Sequence, residues 1–201
     1  MTSNQISSGP MLRILGICGS LRKASYNAML LRAYRESAHP EASIETAHID
    51  QIPLYNEDVR QGGFPPSVAQ LRSQILGADA LLIVTPEYNY SIPGVLKNAI
   101  DWASRPPEQP FAGKAIAVAG ASPSMFGSAR AQYDLRRCFV YLNAFVLNQP
   151  EVMIARAHER FDATGTLHDQ GSQKLVVEQL KALARLAHLL TPGRPESPPR
   201  S

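Results

Sequence analysis

The amino-acid sequence predicts an α/β protein, a parallel sheet with helices covering both of its faces. Three observations carry that expectation. Between residues 12 and 190, short apolar runs rich in branched side chains alternate with longer segments of helical period. The run 79–84, Asp-Ala-Leu-Leu-Ile-Val, is too apolar for a strand with one wet face and reads as buried on both. A chain of 201 residues, 44% hydrophobic and 18% charged, suffices for one well-buried core and is short for two.

Taken in order, residues 12–18 form the first strand, closed by Gly19-Ser20. Residues 26–37 follow as a helix with Tyr26, Leu30, Ala33 and Ser37 on one face. Residues 43–49 alternate like a strand nearer the sheet edge, and a Gly/Pro-bearing loop then runs to Pro66. A helix over 68–76 leads to the third strand, 80–84, and Pro93 opens a helix over 94–104. The fourth strand is 114–119, followed by a helix over 128–142. Residues 145–147 make the fifth strand, whose pairing resumes around 152–154. The last helix, 172–190, sets Val176, Leu180, Leu183, Ala187 and Leu190 on one stripe. Residues 1–11 and the proline-rich tail 192–201 read as disordered ends of a single domain, 12–191.

Composition narrows the function. The net charge is +3, but the basic residues are scattered, with no run longer than a pair and no interleaved aromatics, so a nucleic-acid partner is not expected. Cys18 and Cys138 belong to no CxxC pair and read as small buried hydrophobes of a reducing compartment. The five histidines lack metal-ligand spacing, so no metal is expected. No apolar stretch approaches the roughly 18 residues of a membrane span, and residues 1–11 lack the pattern of a signal peptide. The expectation is a cytoplasmic protein with no membrane partner.

Two loops carry chemistry. After the third strand comes Thr85-Pro86-Glu87-Tyr88-Asn89-Tyr90-Ser91-Ile92-Pro93-Gly94. Its prolines stiffen a wall at the carboxyl edge of the sheet, where open α/β sheets bind ligands. After the first strand, Gly19 to Asn27 lead into a helix whose unpaired N–H groups attract anions. Ser20 and Ser25 add hydroxyls there, Asn27 an amide, and Arg22 a planar fork suited to phosphate, with Lys23 a solvated neighbour. The plainer reading makes Ser25 only a helix cap. Neither GxGxxG nor GxxxxGK[ST] is present. One arginine with several hydroxyls suits a single terminal phosphate, as in a mononucleotide such as FMN.

Gly19-Ser20-Leu21-Arg22-Lys23-x-Ser25-x-Asn27, then Pro86-Glu87-Tyr88-Asn89-Tyr90-Ser91-x-Pro93-Gly94-x-Leu96-Lys97-Asn98-Ala99-x-Asp101-Trp102, resembles the NAD(P)H-dependent FMN reductase family. A third block, Gly127-Ser128-Ala129-Arg130-x-Gln132-Tyr133-x-Leu135-Arg136, completes the resemblance, which spans roughly residues 12–190 and is nearest the bacterial quinone, chromate and azo-dye reductase branch. It implies a flavodoxin-like, three-layer fold on a five-stranded sheet of order 2-1-3-4-5, with FMN between strands 1 and 3. By position, Ser20, Arg22, Ser25 and Asn27 would hold the phosphate. Pro86, Glu87, Tyr88 and Asn89 would line the isoalloxazine ring, and Ser122 would close its ring or ribityl side. Pro123 departs from similar proteins and removes one N–H from that side.

Such an enzyme would pass hydride from NADPH or NADH to FMN and on to small acceptors, namely quinones, azo dyes, flavins or chromate, by a ping-pong route. No side chain of the protein is then required as a nucleophile. The alternative is a flavodoxin-like electron carrier that does not itself oxidise nicotinamide. Glu87 reads either as a solvated loop charge or as a site residue, Tyr90 as a core or interface aromatic, Lys97 and Asp101 as an exposed pair, and Trp102 as packing. By resemblance, Arg130, Tyr133 and Glu151 are candidates for subunit contacts in a homodimer or homotetramer; an ordinary exposed helix is the other reading.

Overall fold

The structure is a computed structural model that describes residues 11–38 and 42–190, so both predicted disordered ends lie outside the described residues but for Met11. The strands are β1 (Leu12–Cys18), β2 (Ala42–Ala47), β3 (Ala80–Val84), β4 (Ala115–Ala121), β5 (Phe145–Val146) and β6 (Val152–Ile154). The helices are α1 (Tyr26–Ala38), α2 (Glu57–Gln61), α3 (Pro66–Gly77), α4 (Gly94–Ala103), α5 (Ala129–Tyr141) and α6 (Gln170–Leu190). Every pairing is parallel and the order is β2-β1-β3-β4-β5, as expected.

The fifth position of the sheet is split. β5 pairs with Ala115 and Ile116, and β6 pairs further along β4 at residues 119–121. Pro150 lies between the two segments and offers no N–H to continue a ladder. A second difference is α2, a single short helix inside the stretch expected to be loop. Asn56 caps it by accepting from the Asp58 N–H at 2.8 Å, a local signal that apolar periodicity does not register.

Period-two alternation in the central strands divides the core into two layers. Ile14, Leu82 and Val84 pack with α1 and α6, while Leu15, Ile17, Leu81 and Ile83 pack with α3, α4 and α5. All five residues of β3 and all seven of β4 are buried, which accounts for their unbroken apolar composition. The α6 stripe is buried as expected, save that Leu190 is only partly covered.

On α1 the covered stripe is rotated from the expected one: Asn27, Leu30, Leu31, Tyr34 and Ala38 are buried, whereas Ser37 is exposed. Both the sheet and α6 cover this helix, so its apolar face is wider than a one-sided pattern suggests. Tyr34, fully buried, donates to Gln179 Oε1 at 2.6 Å, and Gln179 donates in turn to the carbonyls of Val118 (3.2 Å) and Pro150 (2.8 Å). Tyr34→Phe strands the Gln179 oxygen and is expected to lower unfolding free energy by about 1–2 kcal/mol, read from the urea midpoint.

Candidate functional site

The carboxyl tips of β1, β3 and β4 are stitched together. Gly19 N–H donates to Val84 O at 2.8 Å, Thr85 N–H to Ala119 O at 2.9 Å, and Ser122 N–H to Ile154 O at 3.0 Å. The chain leaves β1 and β3 in opposite directions here, which opens the crevice of a doubly wound sheet. Three loops rim it: residues 19–25, 85–93 and 122–128.

In the first loop Ser25 is buried, and its Oγ accepts from the N–H groups of Asn27 (3.2 Å) and Ala28 (3.4 Å). It is therefore the cap of α1. Asn27, also buried, forms a closed pair with Ala121: its Nδ2 donates to Ala121 O and its Oδ1 accepts from Ala121 N–H, both at 2.9 Å. The first turn of α1 is thereby clamped to the tip of β4. Ser20 Oγ accepts from Arg22 N–H at 3.4 Å. Arg22 and Lys23 are exposed and make no ion pair among the described residues, and no protein acceptor there takes the N–H groups of Leu21, Lys23 or Ala24. Two cations without an ion pair, Arg22 lying over the Tyr26 ring 5.8 Å from its centroid, and a set of free N–H donors at a helix N-terminus are the chemistry of an anion site.

In the second loop Thr85 and Pro86 are buried, while Tyr88 and Asn89 are exposed. Tyr88 and Ser91 exchange backbone bonds of 3.1 and 3.0 Å across a tight turn whose central residues, Asn89 (φ 49°) and Tyr90 (φ 69°), are both left-handed. Asparagine suits that conformation; a tyrosine there is uncommon. Tyr90 is 70% exposed, so it is not a core aromatic. The reading of Glu87 as a solvated loop charge is corrected, because its side chain is only 9% exposed and turned onto the start of α5. There it accepts from the N–H groups of Arg130 (3.0 Å) and Ala131 (3.4 Å) and pairs with the Arg130 guanidinium. Lys97 and Asp101 form the expected exposed pair, and Trp102 is fully buried with its N–H on Pro53 O.

The third loop starts at Ser122, whose Oγ accepts from Ser124 N–H at 3.1 Å and so shapes the turn through Pro123. Gly127 is left-handed (φ 52°), and a Cβ there would lie 2.5 Å from the Met153 carbonyl carbon. Arg130 thus meets Glu87 of its own chain, and Tyr133 reaches Glu151 of its own chain at 3.3 Å. Sequence reasoning missed the Asn27–Ala121 clamp and the Glu87 cap. The second left one trace in the sequence, since the first turn of α5 contains no acid of its own.

Both cysteines are half-buried and unpaired. Burial pushes the Cys18 thiol up, against smaller opposing hydrogen bonds from Ser20 and Ser25. A raised pKa leaves less thiolate near neutrality, so Cys18 is expected to react with a disulfide reagent at pH 8 more slowly than free cysteine, by absorbance stopped flow. Among the described residues no cluster of His, Cys, Asp or Glu is arranged to hold a metal ion, and no helix is long and apolar enough to cross a membrane.

Comparison with known proteins gives the family and the fold. The model of the NADPH-dependent FMN reductase family matches residues 12–159. The chain is 58% identical over 172 residues to an NAD(P)H-dependent FMN reductase of Pseudomonas aeruginosa, covering 86% of this chain and 93% of that one. It is 45% identical over 174 residues to a quinone reductase of Escherichia coli, covering 85% and 93% respectively. Among solved structures, the flavoenzyme NAD(P)H:(acceptor) oxidoreductase of Paracoccus denitrificans superposes with a TM-score of 0.82 at 34% identity, over 89% of this chain and 98% of that one. The chain belongs to the NADPH-dependent FMN reductase family.

Proposed function

We propose that this protein is an FMN-dependent NAD(P)H oxidoreductase that reduces quinones and related small acceptors at the tips of β1, β3 and β4. The observation that carries the reading is the crevice itself, with an unpaired cationic loop at one end and a stiff, two-proline loop beside it. The free N–H groups of Leu21, Lys23 and Ala24, with Ser20 and the Arg22 fork, fit a terminal phosphate. Ser25 and Asn27 serve that phosphate from behind, one by capping α1 and the other by tying it to β4.

For the ring, Pro86 supplies a rigid edge and Tyr88 an aromatic flank, with Ser122 on the far side. Because the Tyr88 N–H is taken by Ser91 O, the donors left for the polar ring edge are the N–H groups of Glu87 and Asn89 and the Asn89 amide. Fixed donors of this kind favour the electron-rich ring. When bound, FMN supplies the acceptance and delivery of hydride. The chain's part is to hold it with one face open, so that nicotinamide and acceptor use that face in turn. Parallel initial-rate lines are expected from such a ping-pong route.

The acceptors extend to azo dyes, free flavins and metal oxyanions such as chromate. Assembly into a homodimer or homotetramer would use the face bearing Arg130, Tyr133 and Glu151; their bonds within the chain leave Tyr133 52% exposed. A cytoplasmic site of action fits the two unpaired cysteines. The deciding experiment is the visible spectrum of the purified protein before and after NADPH, with a quinone as acceptor. A yellow protein bleached by NADPH and recoloured by quinone is expected. A protein that takes up FMN but does not oxidise NADPH would be an electron carrier instead. Arg22→Ala is expected to raise the Kd for FMN about tenfold or more, through loss of a charge-assisted fork, while the loaded enzyme turns over within about twofold of wild type.

A further inference from the structure

We propose that Glu87 is a positioning residue, whose carboxylate never meets the flavin but pins the ring-binding peptide to the start of α5. The proposal rests on reading residues 86–89 as the ring wall. α5 lacks the usual local cap. Ser128 stands at the N-cap position in the left-handed conformation (φ 67°, ψ 24°), makes no side-chain cap bond, and accepts from Gln132 Nε2 at 3.2 Å instead. The cap comes from 43 residues away: Glu87 Oε2 accepts from the N–H of Arg130 at 3.0 Å and of Ala131 at 3.4 Å. A carboxylate on the first N–H groups of a helix is favoured by both hydrogen bonding and the helix dipole.

The same carboxylate holds the Arg130 guanidinium, which lies 3.7 Å from the Tyr90 ring centroid and 4.2 Å from that of Phe126. A planar cation between two aromatic faces is held at a set angle. One ion pair therefore joins the loop after β3 to the first turn of α5. A second tie runs in parallel, Ser91 Oγ donating to Asp134 Oδ2 at 2.7 Å one turn further along α5. Between the two ties lies the left-handed turn at Asn89 and Tyr90, so the peptide planes of residues 87–89 are held from both ends. Any tilt of α5 is passed to the flavin wall.

The test uses the full-length apoprotein of wild type, Glu87→Gln, Arg130→Met, the double variant and Ser91→Ala. FMN affinity is read by flavin fluorescence quenching, the bound flavin by its absorption bands, and apoprotein melting separately. Glu87→Gln keeps shape but loses the charge, and is expected to weaken FMN binding about tenfold and shift the bound-flavin bands. The double variant is expected to bind no more weakly than Glu87→Gln, because the pair acts as a unit. Ser91→Ala is expected to weaken binding about threefold with little change in melting. The proposal is overturned if Glu87→Gln melts lower yet binds FMN with wild-type affinity and spectrum, the mark of a purely structural cap. Should Glu87→Gln fail to fold, unchanged affinity in Ser91→Ala overturns it equally. Absence of FMN binding by the wild type defeats the site reading itself, a result distinct from wild-type binding that the variants leave intact.

Discussion

Asn27→Ala is expected to be among the most damaging single changes in this protein, costing about 2–4 kcal/mol of unfolding free energy because two buried backbone groups lose their partners at once. The amide of Asn27 satisfies both the N–H and the C=O of Ala121, at 2.9 Å each, at the last residue of β4. Alanine reaches neither. Water has little access to replace the amide, since both residues are buried. Asn27→Asp is expected to be nearly as harmful, because a carboxylate can accept from Ala121 N–H but is repelled by its carbonyl. Guanidinium unfolding of the apoprotein measures the loss. The clamp also sets where α1 begins, so FMN affinity is expected to fall about tenfold or more in the same variant. An unfolding midpoint equal to wild type would show that the pair contributes nothing to stability.

Gly120→Ala is the second. A Cβ at this position would lie 1.8 Å from Ser128 Oγ and 2.5 Å from Thr85 O. The serine hydroxyl can rotate away. The Thr85 carbonyl cannot, because the neighbouring Thr85 N–H is bonded to Ala119 O at 2.9 Å and ties β3 to β4. One methyl group must therefore part the strand tips, an overpacking that costs about 3 kcal/mol. In a chain of this size that lowers the melting temperature by about 6–12 °C. Thr85 precedes the proposed ring wall, so FMN binding is expected to weaken alongside. Gly77→Ala is the control: nothing lies within 4 Å of a Cβ there, and the residue sits in the last turn of α3. It is expected to be neutral or stabilising by up to about 1 kcal/mol. Equal melting of the two variants would refute the close approach of the strand tips.

Much of the fold was legible because its signals are local. The apolar runs of β1, β3 and β4 and the α6 stripe each declare themselves within a window of a dozen residues or so. The two candidate loops stood out for the same reason, since a strand ending in Gly19-Ser20 or Thr85-Pro86 carries its turn chemistry beside it. The misreadings have one cause. The α1 stripe was placed a step off because α6, more than a hundred residues later, covers its second flank. Glu87 was weighed as a solvated charge because its partners lie 43 positions on. The partner of Asn27 was out of view for the same reason, its amide lying on Ala121, while the Ser25 cap on the N–H groups of α1 is local and was one of the two readings offered.

Residue order alone was enough to set the parallel sheet and, through the family resemblance, its strand order, and to single out the two loops proposed for an anion and a flat ring. Which polar side chains face the crevice and which hold the crevice together was decided only when the chain closed. Hydrogen-bond partners such as Asn27 with Ala121, 94 residues apart, are created by strand register and helix packing. A one-residue slip of either would hand those amides to water, and no local pattern in the sequence records that choice.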